Sequence, residues 1–313
     1  MHAHSLPLVS VVMATYNGAE FIRQQMESVL AQSYPVLEVI VVDDCSTDNT
    51  IEIVNSFREK HPGIKVYVNE TNLGYIKNFE KGCGLATGSY VALCDQDDYW
   101  LPEKISKMQA AIGDYPLIYS DSVLCNESLE PTGESISAKM NCRDFDNCLQ
   151  QAIFCRIYGH ATLINNDFLQ KVIPFSAIIP HDWWLCYTAS FYGGIKYLNE
   201  PLVYYRQHAG NIFGAAGLKN NRKKMKAKSL VKEQETEKIR KRIKAFYEFC
   251  PAVFSDEKKV LKEIMSSYSS FSMANNFRRM FLFFRHHKKL LASKKRSLLQ
   301  QYLFCLKMFV KIK

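Results

Sequence analysis

Three things are missing from this sequence of 313 residues, and each absence removes a class of protein. Its ten cysteines are scattered without a C-x-x-C pair or zinc-like spacing, and no hydrophobic signal segment precedes them. They read as reduced cytosolic thiols filling core positions rather than as a disulfide framework or a zinc site. No uninterrupted apolar run reaches the roughly 18 residues that a membrane span needs, so the chain reads as soluble or peripheral. Glycine-rich phosphate cradles are absent too, since neither G-x-G-x-x-G after the first strand nor G-x-x-x-x-G-K-[ST] occurs. Dinucleotide oxidoreductases and P-loop NTPases lose most of their claim.

What is present is an ordinary globular composition, 47% hydrophobic and 23% charged, able to bury a large core in one domain or two. The formal charge of +9 is unevenly placed, because the first two hundred residues carry more Asp and Glu than Lys and Arg and the basic excess follows Leu218. A catalytic domain over 1–217, divided near 115 into a nucleotide-binding and an acceptor half, followed by a basic helical region over 218–313, is the expected organisation.

Up to residue 100 the pattern alternates strand and helix. Residues 8–14 are a valine-rich run of strand length that stops at the turn cluster Thr15-Tyr16-Asn17-Gly18. Ile22, Met26, Val29 and Leu30 then recur at helical spacing within 19–32. A second strand over 37–42 ends in Asp43-Asp44, residues 50–57 continue as a helix, and 65–68 and 90–94 supply two more strands. Buried strands alternating with helices argue for a parallel sheet covered on both faces, with ligands gathering beyond the carboxyl ends of its strands.

The last of these strands runs into Asp95-Gln96-Asp97-Asp98. If the two-residue strand period continues, Asp95 and Asp97 point to one side, spaced to share a divalent cation. Oxygen ligands favour a hard ion, Mg2+ or Mn2+, with the phosphates of a nucleotide diphosphate completing the shell. The bland alternative is a solvated turn in which Asp98 caps the next helix. Asp43 and Asp44 carry a similar alternative as turn residues, and Lys77, in the first turn of a helix opened by Gly74, is either an anion contact or a solvated lysine.

The order V-S-V-V-M-A-T-Y-N-G, V-V-D-D-C-S-T-D, N-L-G-Y-I-K-N and G-S-Y-V-A-L-C-D-Q-D-D resembles the inverting family 2 glycosyltransferases with the GT-A fold, over roughly residues 8–213. The resemblance implies a Rossmann-like, mostly parallel sheet flanked by helices and a nucleotide-sugar donor lying across the strand ends. Thr15, Tyr16, Glu20 and Asp44 would lie near base and ribose, with Lys77 where the family often has a basic residue. Asp95 and Asp97 would form its D-x-D, Asp97 being the direct metal ligand. His181-Asp182-Trp183-Trp184 resembles the position of the family's general base, which points to Asp182; a helix cap beside two packing indoles is the alternative. Residues 195–206 read as two short strands broken by a proline turn at Pro201, and Tyr205-Arg206-Gln207-His208 at their end resembles a motif that places His208 near metal or diphosphate, with Arg206 structural or phosphate-facing. Both motifs together look like the rhamnosyltransferase-like enzymes of bacterial cell-surface polysaccharide assembly.

Residues 219–244 carry twelve Lys or Arg against three Glu, read as a solvated basic helix or linker, with nucleic acid as the less expected partner. Over 277–313, aromatic and aliphatic residues alternate with Arg and Lys clusters, as in helices that lie in an anionic membrane surface. The alternative is a helical subdomain. The expected protein is thus a metal-dependent glycosyltransferase acting on a glycan or polyprenyl-linked acceptor, peripheral to the cytoplasmic face of a bacterial inner membrane. The competing possibility is an inactive sugar- or nucleotide-binding module.

Overall fold

The structure is a computed structural model that describes residues 6–209 and 228–309, without the side chains of 228–233. Part of the predicted basic segment 219–244 therefore lies outside the described residues. The chain divides into two compact units, the first built from the described residues up to Phe145 and from Ile157 to Ala209, the second from Asp146–Arg156 and the residues from 228 onward.

The first unit is a mixed α/β layer around one sheet. Its strands are β1 (Val9–Thr15), β2 (Leu37–Asp43), β3 (Ile64–Val68), β4 (Tyr90–Cys94), β5 (Tyr99–Trp100), β6 (Leu117–Cys125), β7 (Pro131–Ser135), β8 (Thr162–Asn165) and β9 (Ile195–Arg206). They lie in the order β3-β2-β1-β4-β8-β6-β9-β5, with β7 paired to β6. The first four are parallel, and β8 runs antiparallel to both β4 and β6. The β6 and β9 strands are parallel. Nearly every residue of β1 and β2 is buried, which is why these strands read as continuous Val and Ile runs rather than as alternating patterns.

Helices α1 (Ile22–Leu30), α2 (Thr50–Lys60), α3 (Tyr75–Leu85) and α4 (Lys104–Ile112) connect the first strands. Three helices follow in this unit, the four-residue α5 (Ile136–Lys139), α7 (Asn166–Val172) and α8 (His181–Ala189), whereas α6 (Leu149–Ala152) belongs to the second. Ile22, Met26 and Val29 of α1 join Val11, Met13 and Val41 in the main core cluster. Each such side chain removed from water stabilises the fold by roughly 1.5–3 kcal/mol.

One expectation needs correcting. Residues 195–206 read as two short strands broken at Pro201, yet they form the single strand β9. Pro201 stands opposite Asp121, where the β6 register shifts on both sides. That irregularity frees Pro201 from donating a ladder hydrogen bond, so the strand passes through it.

The second unit is helical, with α9 (Lys228–Phe249), α10 (Ser255–Ser267), α11 (Met273–Leu290) and α12 (Leu298–Lys307). Ser272 and Ser297 cap α11 and α12, the latter in a reciprocal capping box with Gln300. Fully buried Arg279 donates to the carbonyls of Ser267 and Met308 and to Asn276 Oδ1, and its guanidinium lies 4.9 Å from the centre of the Tyr268 ring. No helix among the described residues is long and apolar enough to cross a membrane.

Candidate active site

The carboxyl ends of β1, β2 and β4 open onto a cavity of about 440 Å³ in the first unit. Its floor is built by hydrogen bonds between the loops that leave those strands. Thr15 Oγ1 donates to Asp43 Oδ2 at 2.8 Å, and Asp43 also accepts the backbone N–H of Ser46. Asp44 accepts from Asn69 Nδ2 and from the N–H groups of Leu73 and Gly74, each at 2.8 Å, which fixes the turn that opens α3. Tyr16 N–H donates to Gln96 Oε1 at 2.8 Å while Gln96 Nε2 donates to Tyr16 O at 3.0 Å. This clasp joins the β1 loop to the acidic turn and leaves no room at Gly18, where a Cβ would stand 2.2 Å from Gln96 Oε1.

Past the end of β4 the chain turns at Gln96 and Asp97, and Asp95, Gln96 and Asp97 all line the cavity while Asp98 is fully buried. Asp97 Oδ2 lies 2.8 Å from His208 Nε2, whose ring packs on Phe21 with centroids 4.6 Å apart. Asp98 does not cap a helix. Its Oδ1 accepts the Arg206 N–H at 3.1 Å and its Oδ2 lies 3.1 Å from His160 Nδ1, which is also 3.5 Å from Asp95 Oδ2. Burial drives the Asp98 carboxyl well above its ordinary range, with His160 opposing and Asp97 and Asp95 adding to the rise. At His160 burial favours the neutral ring, but the Asp98 and Asp95 carboxylates outweigh it and raise the imidazole above its usual value.

Arg206 is structural. Its Nε donates to Asp97 O, and its two terminal nitrogens donate to Glu127 O and to Gln24 Oε1. The guanidinium thereby holds the backbone of the acidic turn from behind.

Asp182 starts α8 and lines the same cavity, accepting the Trp183 N–H at 2.7 Å. Burial raises its carboxyl pKa, His181 and the Trp183 N–H act against that, and Asp95 adds to it. Trp184 is buried, with Nε1 donating to Val172 O, and neither indole is among the residues that line the cavity.

Of the residues singled out in the sequence, Thr15, Tyr16, Asp44, Asp95, Asp97, Asp182 and His208 come together here. Glu20 and Lys77 do not line the cavity; Glu20 is exposed and Lys77 pairs with Glu80 at 2.6 Å. Sequence reasoning missed Asp98 and His160 as partners. Asp95, Asp98 and His160 offer three ligand atoms within 4.8 Å of one another, a set able to hold a cation. An aspartate after a D-x-D and a histidine in a Gly-His-Ala-Thr turn carry no spacing signal, because only the β4 and β8 pairing brings them together.

Comparison with known proteins agrees with this geometry. The family description Glycosyl transferase family 2 matches residues 10–172, just over half of the chain. An uncharacterized glycosyltransferase of Nostoc sp. is 28% identical over 65% of this chain, and the chain spans 66% of that relative's length, just under two thirds. The Escherichia coli UDP-Glc:alpha-D-GlcNAc-diphosphoundecaprenol beta-1,3-glucosyltransferase WfaP is 29% identical over 66% of this chain and 80% of its own. Residues 1–349 of S. aureus TarS, solved in complex with UDP-GlcNAc, superpose with a TM-score of 0.58 at 20% identity, covering 97% of this chain and 81% of that one. With the acidic turn at the strand ends and the sheet order above, these matches show that the chain belongs to glycosyl transferase family 2 and has its GT-A fold.

Proposed function

We propose that the protein is an inverting glycosyltransferase that moves a sugar from a nucleotide diphosphate to a hydroxyl of a glycan or lipid-linked acceptor in bacterial surface polysaccharide synthesis. The observation that carries this is that one cavity is lined both by the acidic pair Asp95 and Asp97 and by Asp182, a carboxylate from a distant part of the chain. In the reaction Asp182 takes the acceptor's proton and the hydroxyl oxygen attacks the anomeric carbon. The bond from that carbon to the diphosphate oxygen breaks on the opposite face, the electron pair leaving with the phosphate.

The residues fit a divalent cation, since ligand atoms of Asp95, Asp98 and His160 lie within 4.8 Å of one another and Asp97 lies 2.8 Å from His208. Asp95 and Asp97, with His208, would hold it against the donor's phosphates. The buried Asp98 and His160 pair would keep Asp95 in place. The imidazoles favour Mn2+ over Mg2+. When bound, such an ion takes up the charge that develops on the leaving diphosphate.

The nucleotide is UDP or dTDP in this reading. WfaP names UDP-Glc as donor, and His181-Asp182-Trp183-Trp184 with Tyr205-Arg206-Gln207-His208 resembles rhamnosyltransferase-like enzymes, so dTDP-rhamnose stands beside the UDP-hexoses. WfaP also names an undecaprenol-linked acceptor, which supports a reaction at a membrane surface. The second unit supports peripheral contact through exposed Phe277 and Phe281 on α11 and Leu299, Leu303 and Leu306 on α12, on helices that also expose Arg278, Arg285 and Lys307.

The test is Asp182→Asn. Donor binding should persist while turnover falls by roughly 100- to 10,000-fold, the loss typical of a missing general base. Unchanged turnover in that variant would end the assignment.

A further inference from the structure

His181 immediately precedes the proposed base and takes no part in the mechanism above. It is 6% exposed, yet it lines the cavity. Both of its ring nitrogens are buried without a hydrogen-bond partner. The ring is held rather than loose, stacked on Phe79 with centroids 4.2 Å apart and edge-on to Tyr75 at 5.8 Å. Nε2 faces Gly159, where a Cβ would stand 3.0 Å from the nitrogen, so a larger residue there would crowd the ring.

A buried polar side chain without a partner is costly, so a ring kept in that state has a use for the nitrogens it leaves unpaired. Burial lowers the His181 pKa, which keeps the ring neutral with one N–H donor and one bare acceptor nitrogen. A sugar hydroxyl can accept from the first or donate to the second. Tyr16, at 47% exposed, and His181 line the same cavity, with His181 next to the proposed base Asp182. A base must stand within reach of the hydroxyl that attacks the anomeric carbon, so a ring beside Asp182 stands close to the transferred sugar.

We infer that His181 is a specificity-determining residue that reads hydroxyls of the transferred sugar through its two free ring nitrogens. This rests on the proposed sugar transfer. A site built to hydrogen-bond a hydroxyl discriminates strongly against analogues that lack or misplace it.

The experiment uses the full chain with Mn2+. Kd values are measured for UDP, dTDP and GDP and, for the nucleotide that binds, for its hexose, N-acetylhexosamine and deoxyhexose forms. Wild type is compared with His181→Phe, which keeps the stacking on Phe79, and with His181→Gln, which keeps a donor and an acceptor. In His181→Phe the diphosphate should bind within about twofold of wild type, while the preferred nucleotide sugar weakens roughly tenfold or more and the ranking among sugars flattens. His181→Gln should retain part of the ranking. An unchanged ranking in His181→Phe overturns the inference, as does equal weakening of diphosphate and nucleotide sugar in both variants, or a wild type that binds no sugar form more tightly than the diphosphate. If no nucleoside diphosphate binds wild type, the proposed function itself fails and takes this inference with it.

Discussion

Lys104 is a lysine taken out of solvent. It is fully buried, its Nζ has no hydrogen-bond partner, and it stands 3.4 Å from the centre of the Trp100 ring. Burial lowers its pKa to about 7, against the opposing pull of Cys94 and Asp98. An unfolded lysine titrates near 10.4, so between about 7 and about 10 the unfolded chain binds more protons at this site and stability rises with pH. Lys104→Met should remove that slope. Urea midpoints at about pH 7 and about pH 9 are predicted to rise more in wild type than in the variant, and parallel slopes would contradict this. Asp182 gives a second residue-level prediction with the opposite logic. A base works ionised, and burial raises its pKa, so the acid limb of kcat/KM should lie above the ordinary carboxylate range near 3.9. At this scale the sequence was legible where residue type and chain position suffice, as for Asp95 and Asp97. It was silent on Asp98 and His160, whose roles come from a contact between segments more than sixty residues apart.

Elements were legible where burial is uniform. β1, β2 and β4 fall within one residue of the apolar runs that predict them, because strands covered on both faces leave few polar positions to blur the ends. α1 starts later than its periodicity suggests, since the Ala19 N–H is taken by Asp48 and the helical hydrogen bonds begin from Gly18 O. β9 was misread because a proline inside a strand pattern normally marks a break, and nothing local announces a register shift on β6. In the second unit Arg279 ties the ends of α10 and α12 to α11. Charge-assisted hydrogen bonds contribute roughly 1.5–3 kcal/mol each, so Arg279→Met should destabilise this unit by at least about 3 kcal/mol. Calorimetry should then show an earlier transition in the variant, and an unshifted melt would contradict the role given to Arg279.

For the whole molecule, the uneven charge pointed to a separate C-terminal region, and the structure describes a helical unit there with its own buried residues. That the segment 146–156 belongs to this unit was not legible, since only tertiary contacts such as Asn147 to Glu257 and Phe154 to Phe304 recruit it. Exposed aromatic and aliphatic residues beside arginines and lysines predict binding to anionic vesicles, weakened by salt. Replacing Phe281 and Leu299 together by glutamate should release the protein from sedimenting vesicles, and unchanged sedimentation would count against membrane contact.

The central claim, that the acidic turn holds a cation against a nucleotide diphosphate, is tested most directly by thermal melting with UDP or dTDP, with and without Mn2+, in wild type and Asp97→Ala. A ligand that binds only the folded state raises the melting temperature. The account predicts a shift in wild type that needs Mn2+ and disappears in Asp97→Ala; a shift of equal size in the variant, or none with any nucleotide in wild type, would contradict it.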